Sequence, residues 1–467
     1  MRKNKLKIQA FIIIALIFSN RVSAQFIMGY KDFIRDVMEQ HPLAKKAQNL
    51  VSAGKYQERS ANGLFDPYIS ANLENKYFLG TNYYSTALAE IKQPIYTGQA
   101  LKAGIEYGNG SFVNPEETTK GSVLPYLGVE FSVLQGLLID KRRYEVQKSG
   151  HYKNLLETES RMNYNELLFH ATESYVDWLK NYSLVEINKR FVETAAQRFK
   201  ALIALSQIGE RPAIDTVESG ILIQTREIDY GNSLMFFNKA LYELNSYRWQ
   251  GDTNKVNTNI LPEEKLIEFE ETCLSNFLKM SKPNSDENPG LKYYNFKSNL
   301  LKLEKKYKAE LIKPKLDLRY NLLGNTTSQA GVIYSNNYKW GVGFSMPLLL
   351  RTPTNDYKIS KLNLQNNQYE LNTKASELNT KISALINVLG ILGQQIQTAK
   401  KTLQYSRLLM DAEKIKFDNN ESSLFLLNTR ESKVLESEIK LVELQAKFIQ
   451  NYFYAIYLSG TMQYNLN

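Results

Sequence analysis

The chain has 467 residues, with 58 lysines and arginines against 48 aspartates and glutamates, so its formal net charge is +10. The basic residues are spread along the chain rather than gathered into one arm, which argues against a nucleic-acid partner. Beyond residue 24, no uninterrupted apolar stretch reaches the roughly 18 residues that a membrane-spanning helix needs. This excludes a bundle of membrane-spanning helices.

The first 24 residues have the features of a secretory signal peptide. The basic segment MRKNKLK precedes the apolar run FIIIALIF, and Val22-Ser23-Ala24 places small residues before the expected cleavage site. We therefore expect residues 1–24 to be a signal peptide rather than a buried N-terminal helix, and the mature chain to leave the cytoplasm. The single cysteine, Cys273, can form no intramolecular disulfide and lies far from the position of a lipoprotein anchor.

A short phrase occurs twice in the chain, as GVEFSVLQ at 128–135 and as GVGFSMPL at 341–348. Two earlier proline pairs are separated by 247 residues (289 minus 42 and 314 minus 67), whereas the later pairs are separated by 213 (341 minus 128 and 357 minus 144). The difference of 34 residues (247 minus 213) indicates an insertion in the first copy, between residues 67 and 128. The chain is thus predicted to be a tandem duplication.

Both copies show the same order of patterns. The first repeat covers residues 25–249 and carries an inserted hairpin at about 83–118; a linker at 250–264 leads to the second repeat at 265–467. Each repeat is predicted to begin with a helix, to continue with strands and to end with two long helices. The initial helices are expected at about 30–62 and 265–311.

The long helices are predicted at 140–207 and 213–249 in the first repeat, and at 357–417 and 422–458 in the second. In the first of them, apolar residues recur every seven positions, which is typical of coiled-coil packing. The main stripe is Trp178, Val185, Val192 and Phe199, and a second is Tyr175, Tyr182 and Ala196. A helix of about 65 residues is about 100 Å long, so each repeat should form a long helical hairpin.

Four segments alternate between apolar and polar residues, at 69–77, 123–133, 316–322 and 338–346. Strands of about ten residues with this alternation are typical of transmembrane β-barrels, although a half-buried sheet of a soluble domain would show it too. We favour the barrel because the helices are already committed to a coiled coil. The fold class is therefore predicted to be an α+β membrane protein. The insertion alternates as well, at 84–95 and 101–107, but the sequence does not decide whether it enters the barrel wall.

Several blocks of the sequence are similar to conserved segments of the TolC-like outer-membrane efflux proteins. They are HPLAKKAQ (41–48), FDPYISANL (65–73), IGERPAIDTVES (208–219), NPGLKYYN (288–295) and FSMPLL (344–349). Each block is weak alone, but their order and the duplication cover essentially the whole chain after residue 24.

The resemblance implies a homotrimer that forms one β-barrel in the outer membrane of a Gram-negative bacterium, continued by a helical barrel in the periplasm. It also implies passive conduction, with a periplasmic adaptor (membrane fusion) protein and an inner-membrane RND or ABC transporter as partners and no cofactor. Independently of the family, four strands are too few to close a barrel in lipid, so the strand count itself requires oligomerisation. Small-molecule efflux is favoured over type I protein secretion, which uses the same architecture.

The two helix-breaking turns, at about 208–213 and 417–422, are predicted to be the periplasmic tips. Gly209 and Asn420 suit a left-handed backbone, Pro212 suits the first turn of a helix, and Ser422 is the expected N-cap. The resemblance implies that such tips close the duct and contact the adaptor, and Leu426 and Thr429 stand where some members carry gating carboxylates. Our candidates for gate and adaptor docking are Gly209, Glu210, Arg211, Asp215, Asp418, Asn420, Glu421 and Phe425.

The strand pattern also assigns side chains to faces. Val129, Phe131, Val342 and Phe344 are expected to face lipid, whereas Gly128, Ser132, Gly341 and Ser345 face the lumen. The charged residues expected to line the lumen are Glu74, Lys76, Glu130, Asp317 and Arg319. Aromatic residues that could form girdles at the membrane interfaces are Tyr77, Phe78, Tyr83, Tyr84, Tyr126 and Tyr338.

No pattern in the sequence supports an enzyme. The three histidines, His41, His151 and His170, have no metal-ligand spacing, and no catalytic cysteine, serine or phosphate-loop motif is present. The segment Gly108-Asn109-Gly110 indicates a turn. The alternative to an export duct is a periplasmic or surface coiled-coil structural protein without a pore.

Overall fold

The computed structural model describes residues 26–251, 253–254, 256–279, 288–324 and 333–462. The expected signal peptide lies outside the described residues. The chain divides into two compact units, each containing parts of both repeats. The helical unit comprises Met1–Lys45, Asn163–Asn284 and Thr380–Asn467; the sheet unit comprises Lys46–Met162 and Ser285–Asn379.

The helices of the described residues follow the expected order. They are α1 (Tyr30–Gln40), α2 (Pro42–Asn62), α3 (Lys141–Gln207), α4 (Ala213–Ser246), α5 (Leu266–Lys279), α6 (Pro289–Glu310), α7 (Arg351–Asp418) and α8 (Leu424–Ser459). The strands are β1 (Phe26–Met28), β2 (Tyr68–Phe78), β3 (Thr81–Pro94), β4 (Gln99–Asn109), β5 (Leu124–Ser132), β6 (Trp249–Gln250), β7 (Thr253–Asn254), β8 (Ile260–Pro262), β9 (Lys315–Gly324) and β10 (Ile333–Ser345).

The first helix of each repeat is interrupted, which differs from the prediction of single helices. His41 has an extended backbone (φ −67°, ψ 134°) between α1 and α2, because the residue before a proline is disfavoured in the helical region. Its Nδ1 atom accepts a hydrogen bond from the Leu43 amide at 3.1 Å, which helps to start α2. In the second repeat α6 begins anew at Pro289, where the Asn288 side chain caps the first turn.

The long helices are present as predicted. The helix α3 has 67 residues and α7 has 68, so each is about 100 Å long. The predicted coiled-coil stripe is only partly correct, because Trp178 is fully buried whereas Val185, Val192 and Phe199 are half-exposed. The buried stripe of α3 runs instead through Asn181, Asn188, Ala195 and Leu202, again at intervals of seven residues.

Aromatic side chains fill the core of the helical unit. The Tyr30 ring of α1 lies 5.1–5.5 Å from the rings of Tyr175 on α3, Phe269 on α5 and Phe453 on α8. The strand β1 pairs in parallel with β8, which belongs to the segment predicted as a linker. This linker is therefore part of the folded helical unit.

The sheet unit contains one six-stranded antiparallel sheet with the strand order β10-β9-β5-β4-β3-β2. The inserted hairpin supplies β3 and β4, which pair with each other and lie between β2 and β5. The first repeat thus contributes four strands and the second contributes two. The inserted hairpin is therefore part of this sheet.

Within the described ranges, no helix is both long enough and apolar enough to cross a bilayer.

Candidate functional site

One face of the sheet is apolar across all six strands. The cross-strand pairs join Ile69 to Ile91, Ala103 to Leu127, and Leu318 to Val342, and neighbouring pairs extend these rows to both edges. Most of the large side chains on this face are exposed rather than covered, although Ala103 and Leu318 are half-buried. The relative exposures are 75% for Ile69, 51% for Leu101, 49% for Leu127, 67% for Trp340, 55% for Val342 and 66% for Phe344. We call this surface the apolar face.

The opposite surface, the polar face, carries a network of charged side chains. Glu130 on β5 lies 2.8 Å from the Lys92 Nζ and 2.9 Å from the Lys102 Nζ. Lys102 also approaches Glu90 at 3.5 Å, and the Tyr126 hydroxyl donates a hydrogen bond of 2.6 Å to Glu90. These groups are half-buried in a single chain, so their mutual pairing offsets much of the cost of removing them from water.

The polar face also carries the residues that the sequence predicted to line a lumen. Glu130, Arg319 and Gly341 are cross-strand neighbours, and Asp317 accepts a hydrogen bond of 2.5 Å from Ser132. Glu74 and Lys76 lie on the same face of β2, which is an edge strand. The register thus places all five predicted residues on one face, and Val129, Phe131, Val342 and Phe344 on the other.

The predicted aromatic girdle is only partly consistent with this register. Tyr77, Phe78 and Tyr338 are exposed near the turn end of the sheet. Tyr83 and Tyr84 are half-exposed, and the Tyr83 ring stacks on Phe112 at 4.6 Å. Tyr126 does not belong to a girdle, because it is buried on the polar face by its hydrogen bond to Glu90.

The connection between β4 and β5 folds over the polar face. The Phe112 amide donates to the Tyr83 carbonyl at 2.9 Å, and the Thr119 amide donates to the Gly108 carbonyl at 2.9 Å. A Cβ atom at Gly108 would lie 2.0 Å from the Glu117 carbonyl oxygen, so only glycine permits this approach. A cavity of about 490 Å³ lies beside the connection and is lined by Glu74, Glu106, Glu117 and Lys339, among others. The sequence indicated only a turn here.

The two turns between the long helices have similar backbones but different chemistry. Gly209 and Asn420 both have left-handed backbones, with φ of 80° and 63°, as the sequence predicted. The helix α4 begins after Pro212 without a side-chain cap, whereas the Ser423 side chain accepts a hydrogen bond from the Leu426 amide. The N-cap of α8 is therefore Ser423 and not Ser422, whose hydroxyl instead donates to Glu413 at 2.5 Å.

Arg211 joins the two turns. Its guanidinium donates to the Phe417 carbonyl at 2.8 Å and lies 4.2 Å from the centroid of the Phe417 ring. Phe417 in turn packs in a buried cluster with Leu202, Leu424 and Leu427. Asp215 is half-buried in the first turn of α4. The remaining candidates are exposed, namely Gly209, Glu210, Asp418, Asn420, Glu421 and Phe425.

Sequence reasoning missed a row of buried polar residues along α8. Glu431, Glu438 and Gln445 are spaced by seven residues and are 3–6% exposed. Glu431 receives the Arg198 guanidinium at 2.5 Å, Glu438 receives those of Arg190 and Arg407, and Gln445 donates to Glu270 at 3.3 Å. Their heptad spacing was the available signal. Polar partners of this kind can fix the register between packed helices.

No protein-family model and no curated protein sequence matches this chain. Solved structures do match over nearly its whole length. The outer membrane channel CmeC of Campylobacter jejuni superposes with a TM-score of 0.61 at 12% identity, covering 92% of this chain and 85% of CmeC. CusC gives 0.63 at 10% identity, covering 95% of both chains. The outer membrane protein VceC of Vibrio cholerae gives 0.62 at 10% identity, covering 92% of this chain and 95% of VceC.

By their own descriptions CmeC is an outer membrane channel, CusC forms a transmembrane channel and VceC is an outer membrane protein, and the likeness extends to their folds rather than to their sequences. The chain therefore has the fold of the TolC-like outer membrane factors, as its sequence blocks predicted.

Proposed function

We propose that this protein is the outer-membrane duct of a tripartite export system and that it conducts substrates passively. The observation that carries this proposal is the exposed apolar face of the sheet. The opposite face of the same sheet carries paired charges. An apolar face of this extent is expected to contact lipid. A pore-free structural protein would need a cover for these side chains, of which Ile69, Leu127, Trp340, Val342 and Phe344 are 49–75% exposed.

The edges of the sheet support an oligomer. The strands β2 and β10 each pair on one side only within the described residues, and open edges are not tolerated in hydrocarbon. Joining the β2 edge of one copy to the β10 edge of the next removes every edge. Three copies of a six-stranded sheet would give eighteen strands, a size at which barrels enclose an aqueous channel.

The helical unit also presents a surface that suits self-association. On α4, large apolar residues recur every seven positions and are 56–68% exposed: Ile214, Ile221, Ile228, Met235 and Tyr242. Such a stripe on a water-exposed helix normally packs against another helix. We propose that neighbouring copies cover it, so that the long helices form a helical barrel in the periplasm.

We further propose that the tips contact a periplasmic adaptor and control opening toward an inner-membrane RND or ABC transporter. The exposed residues at the turns, including Glu210, Glu421 and Phe425, are available for such contacts. Arg211 is the candidate that joins the two turns. Small-molecule efflux remains the favoured task, since mixed charges along the polar face suit a weakly selective passage.

The proposal can be tested with purified protein in planar lipid bilayers. It predicts a heat-modifiable trimer from outer-membrane extracts and discrete ion-conducting steps from that trimer. Recovery of the protein only in the soluble periplasmic fraction, without conductance, would contradict it.

A deletion tests the eighteen-strand arrangement. Removing residues 79–112 takes out β3 and β4 and leaves β2 and β5 antiparallel. Twelve strands would then close a barrel with about two-thirds of the diameter and about half of the cross-section. We expect the conductance to fall to about half or less. An unchanged conductance in a correctly assembled trimer would place the hairpin outside the barrel.

A further inference from the structure

Exposed leucines gather at the end of the sheet from which the long helices leave. The register brings Tyr68, Pro94, Gln99, Ser132 and Ser345 to this same end. The segments that leave it carry Leu64, Leu134, Leu137, Leu138, Leu348 and Leu349, with exposures of 43%, 39%, 54%, 63%, 98% and 71%. We call these six residues the leucine rim.

The rim segment after β5 is held firmly by hydrogen bonds. Its backbone continues the sheet, because the Val133 and Gln135 amides donate to Leu316 and Pro314 carbonyls at 2.9 and 3.0 Å. The Leu138 amide then donates to the buried Glu310 carboxylate at 3.3 Å.

Arg143 completes this support by donating to the Leu137 carbonyl at 3.1 Å. The next side chain, Ile139, is buried against Tyr144 and Leu303. The fold thus fixes the backbone of this segment while Leu137 and Leu138 point outward.

The rim continues the apolar face. Phe131 and Phe344 are the last exposed apolar residues of β5 and β10, and Met346, 42% exposed, leads to Leu348. Along β10 the apolar face therefore extends through Met346 to Leu348, whereas after β5 the same face continues through Val133 to the polar Gln135 before Leu137 and Leu138.

Basic residues follow the leucines at both helix starts. Lys141 and Arg142 lie in the first turn of α3, Arg351 begins α7, and neither first turn contains an acidic residue. Cations at a helix N-terminus oppose the helix dipole, which favours anions there. Asp140 approaches Arg142 at 3.6 Å, while Lys141 and Arg351 are exposed. At α3 the Asp140 carboxylate already caps the helix, because its Oδ1 accepts a hydrogen bond from the Arg143 amide at 2.9 Å, so an anionic partner outside the chain would chiefly serve Lys141 and Arg351.

We propose that the leucine rim and these cations bind the phospholipid leaflet. The leucines lie among the upper acyl chains, and Lys141, Arg142 and Arg351 meet the phosphate groups. Apolar residues beside cations are the pattern of surfaces that bind at membrane interfaces. This inference rests on the proposed outer-membrane location, and it identifies where the sheet ends in the bilayer and what holds that end.

The test places a nitroxide label at residue 348 through Leu348→Cys, in protein reconstituted into phosphatidylethanolamine–phosphatidylglycerol vesicles. The native Cys273 is buried, at 2% exposure, so it contributes little labelling. We expect the label to collide with oxygen, which dissolves in lipid, at least threefold more than with a water-soluble nickel chelate. The control Tyr56→Cys, at a 66% exposed position on α2, should show the opposite preference.

Two results would overturn the proposal. Preference for the nickel chelate at residue 348 would place the rim in water, and low collision with both reagents would mean that a second copy covers it. Conductance is measured on the same vesicles. If the protein conducts but the label lies in water, the leucine-rim proposal is contradicted and the proposed duct is not. Non-conducting protein rejects the duct itself.

A charge variant tests the second half of the proposal. Lys141→Gln, Arg142→Gln and Arg351→Gln together should reduce assembly into phosphatidylglycerol-containing vesicles by up to about fivefold per cation, and should have a much smaller effect in vesicles of zwitterionic phosphatidylcholine, whose headgroup has no net charge. Equal loss in both lipids would indicate a folding defect and would contradict a role of these cations in binding anionic lipid headgroups.

Discussion

The sheet and the helical unit bury opposite kinds of side chains. In the helical unit, Phe448 and Trp178 are fully buried and most exposed positions are polar. In the sheet, Trp340 and Phe344 are about two-thirds exposed, and the charged residues Glu130 and Lys102 are the ones that are half-buried and paired. Because burial of apolar surface is driven by water, this difference is what the proposed duct predicts for one region in lipid and the other in water.

A matched pair of phenylalanines should show the largest effect. Phe448→Ala removes a fully buried ring from the helical unit and should cost about 3–5 kcal/mol, from lost burial and the cavity that remains. Phe344→Ala, at a 66% exposed position, should cost much less. Thermal dissociation of the oligomer in detergent measures both. Equal losses of stability in the two variants would contradict the proposed difference between the two regions.

An arginine on each face of β10 sharpens the comparison. Val342→Arg puts a charge on the apolar face and should destabilise the protein in lipid by about 2–4 kcal/mol. Its neighbour Gly343 lies opposite Asp317 on the polar face, so Gly343→Arg is the control and should assemble normally. Assembly yield in vesicles is the measurement. If both variants assemble equally well, the apolar face does not contact lipid.

The charge network should show an intermediate effect. Glu130→Gln leaves Lys92 without its close carboxylate partner and Lys102 with only Glu90, and it should cost about 1–3 kcal/mol. Lys315→Gln, where the partner Asp317 keeps its hydrogen bond from Ser132, should be nearly neutral. Denaturation midpoints of the two variants compare them. A neutral Glu130→Gln would mean that the network is fully solvated.

The helix turns should show the smallest effect. Ser423→Ala removes the side-chain cap of α8 and should cost about 1 kcal/mol. Asn420→Gly relaxes a left-handed backbone and should be neutral or slightly stabilising. Hydrogen exchange at the first turn of α8 reports both changes locally. Faster exchange in Asn420→Gly than in Ser423→Ala would contradict this account of the turn.

The sequence predicted most of the fold because its signals are local. The alternation of polar and apolar residues identified the strands and their faces, and the duplication identified the order of the helices. The break at His41 was missed although Pro42 is visible in the sequence, because a single helix was predicted over about 30–62. The N-cap of α8 was predicted to be Ser422 and is Ser423. The two adjacent residues are both serines after the turn, so the sequence pattern does not distinguish them.

The candidate site was harder to predict because it depends on pairing between distant segments. Whether β3 and β4 join β2 and β5 is decided by cross-strand contacts that no single segment encodes. The same holds for Tyr126. Its position in the sequence suggested an interfacial aromatic residue, and only the pairing of the strands shows that it donates to Glu90. The polar row of Glu431, Glu438 and Gln445 was visible in its spacing, but only its partners show that it is buried.

The most direct test of the central claim uses the repeated phrase itself. Single cysteines at residues 341–345 of β10 are exposed to a membrane-impermeant maleimide in reconstituted vesicles. We predict labelling that alternates, with Gly341→Cys, Gly343→Cys and Ser345→Cys reactive from the aqueous lumen and Val342→Cys and Phe344→Cys protected by lipid. Uniform labelling of all five positions would contradict the account, because it would place both faces of the sheet in water.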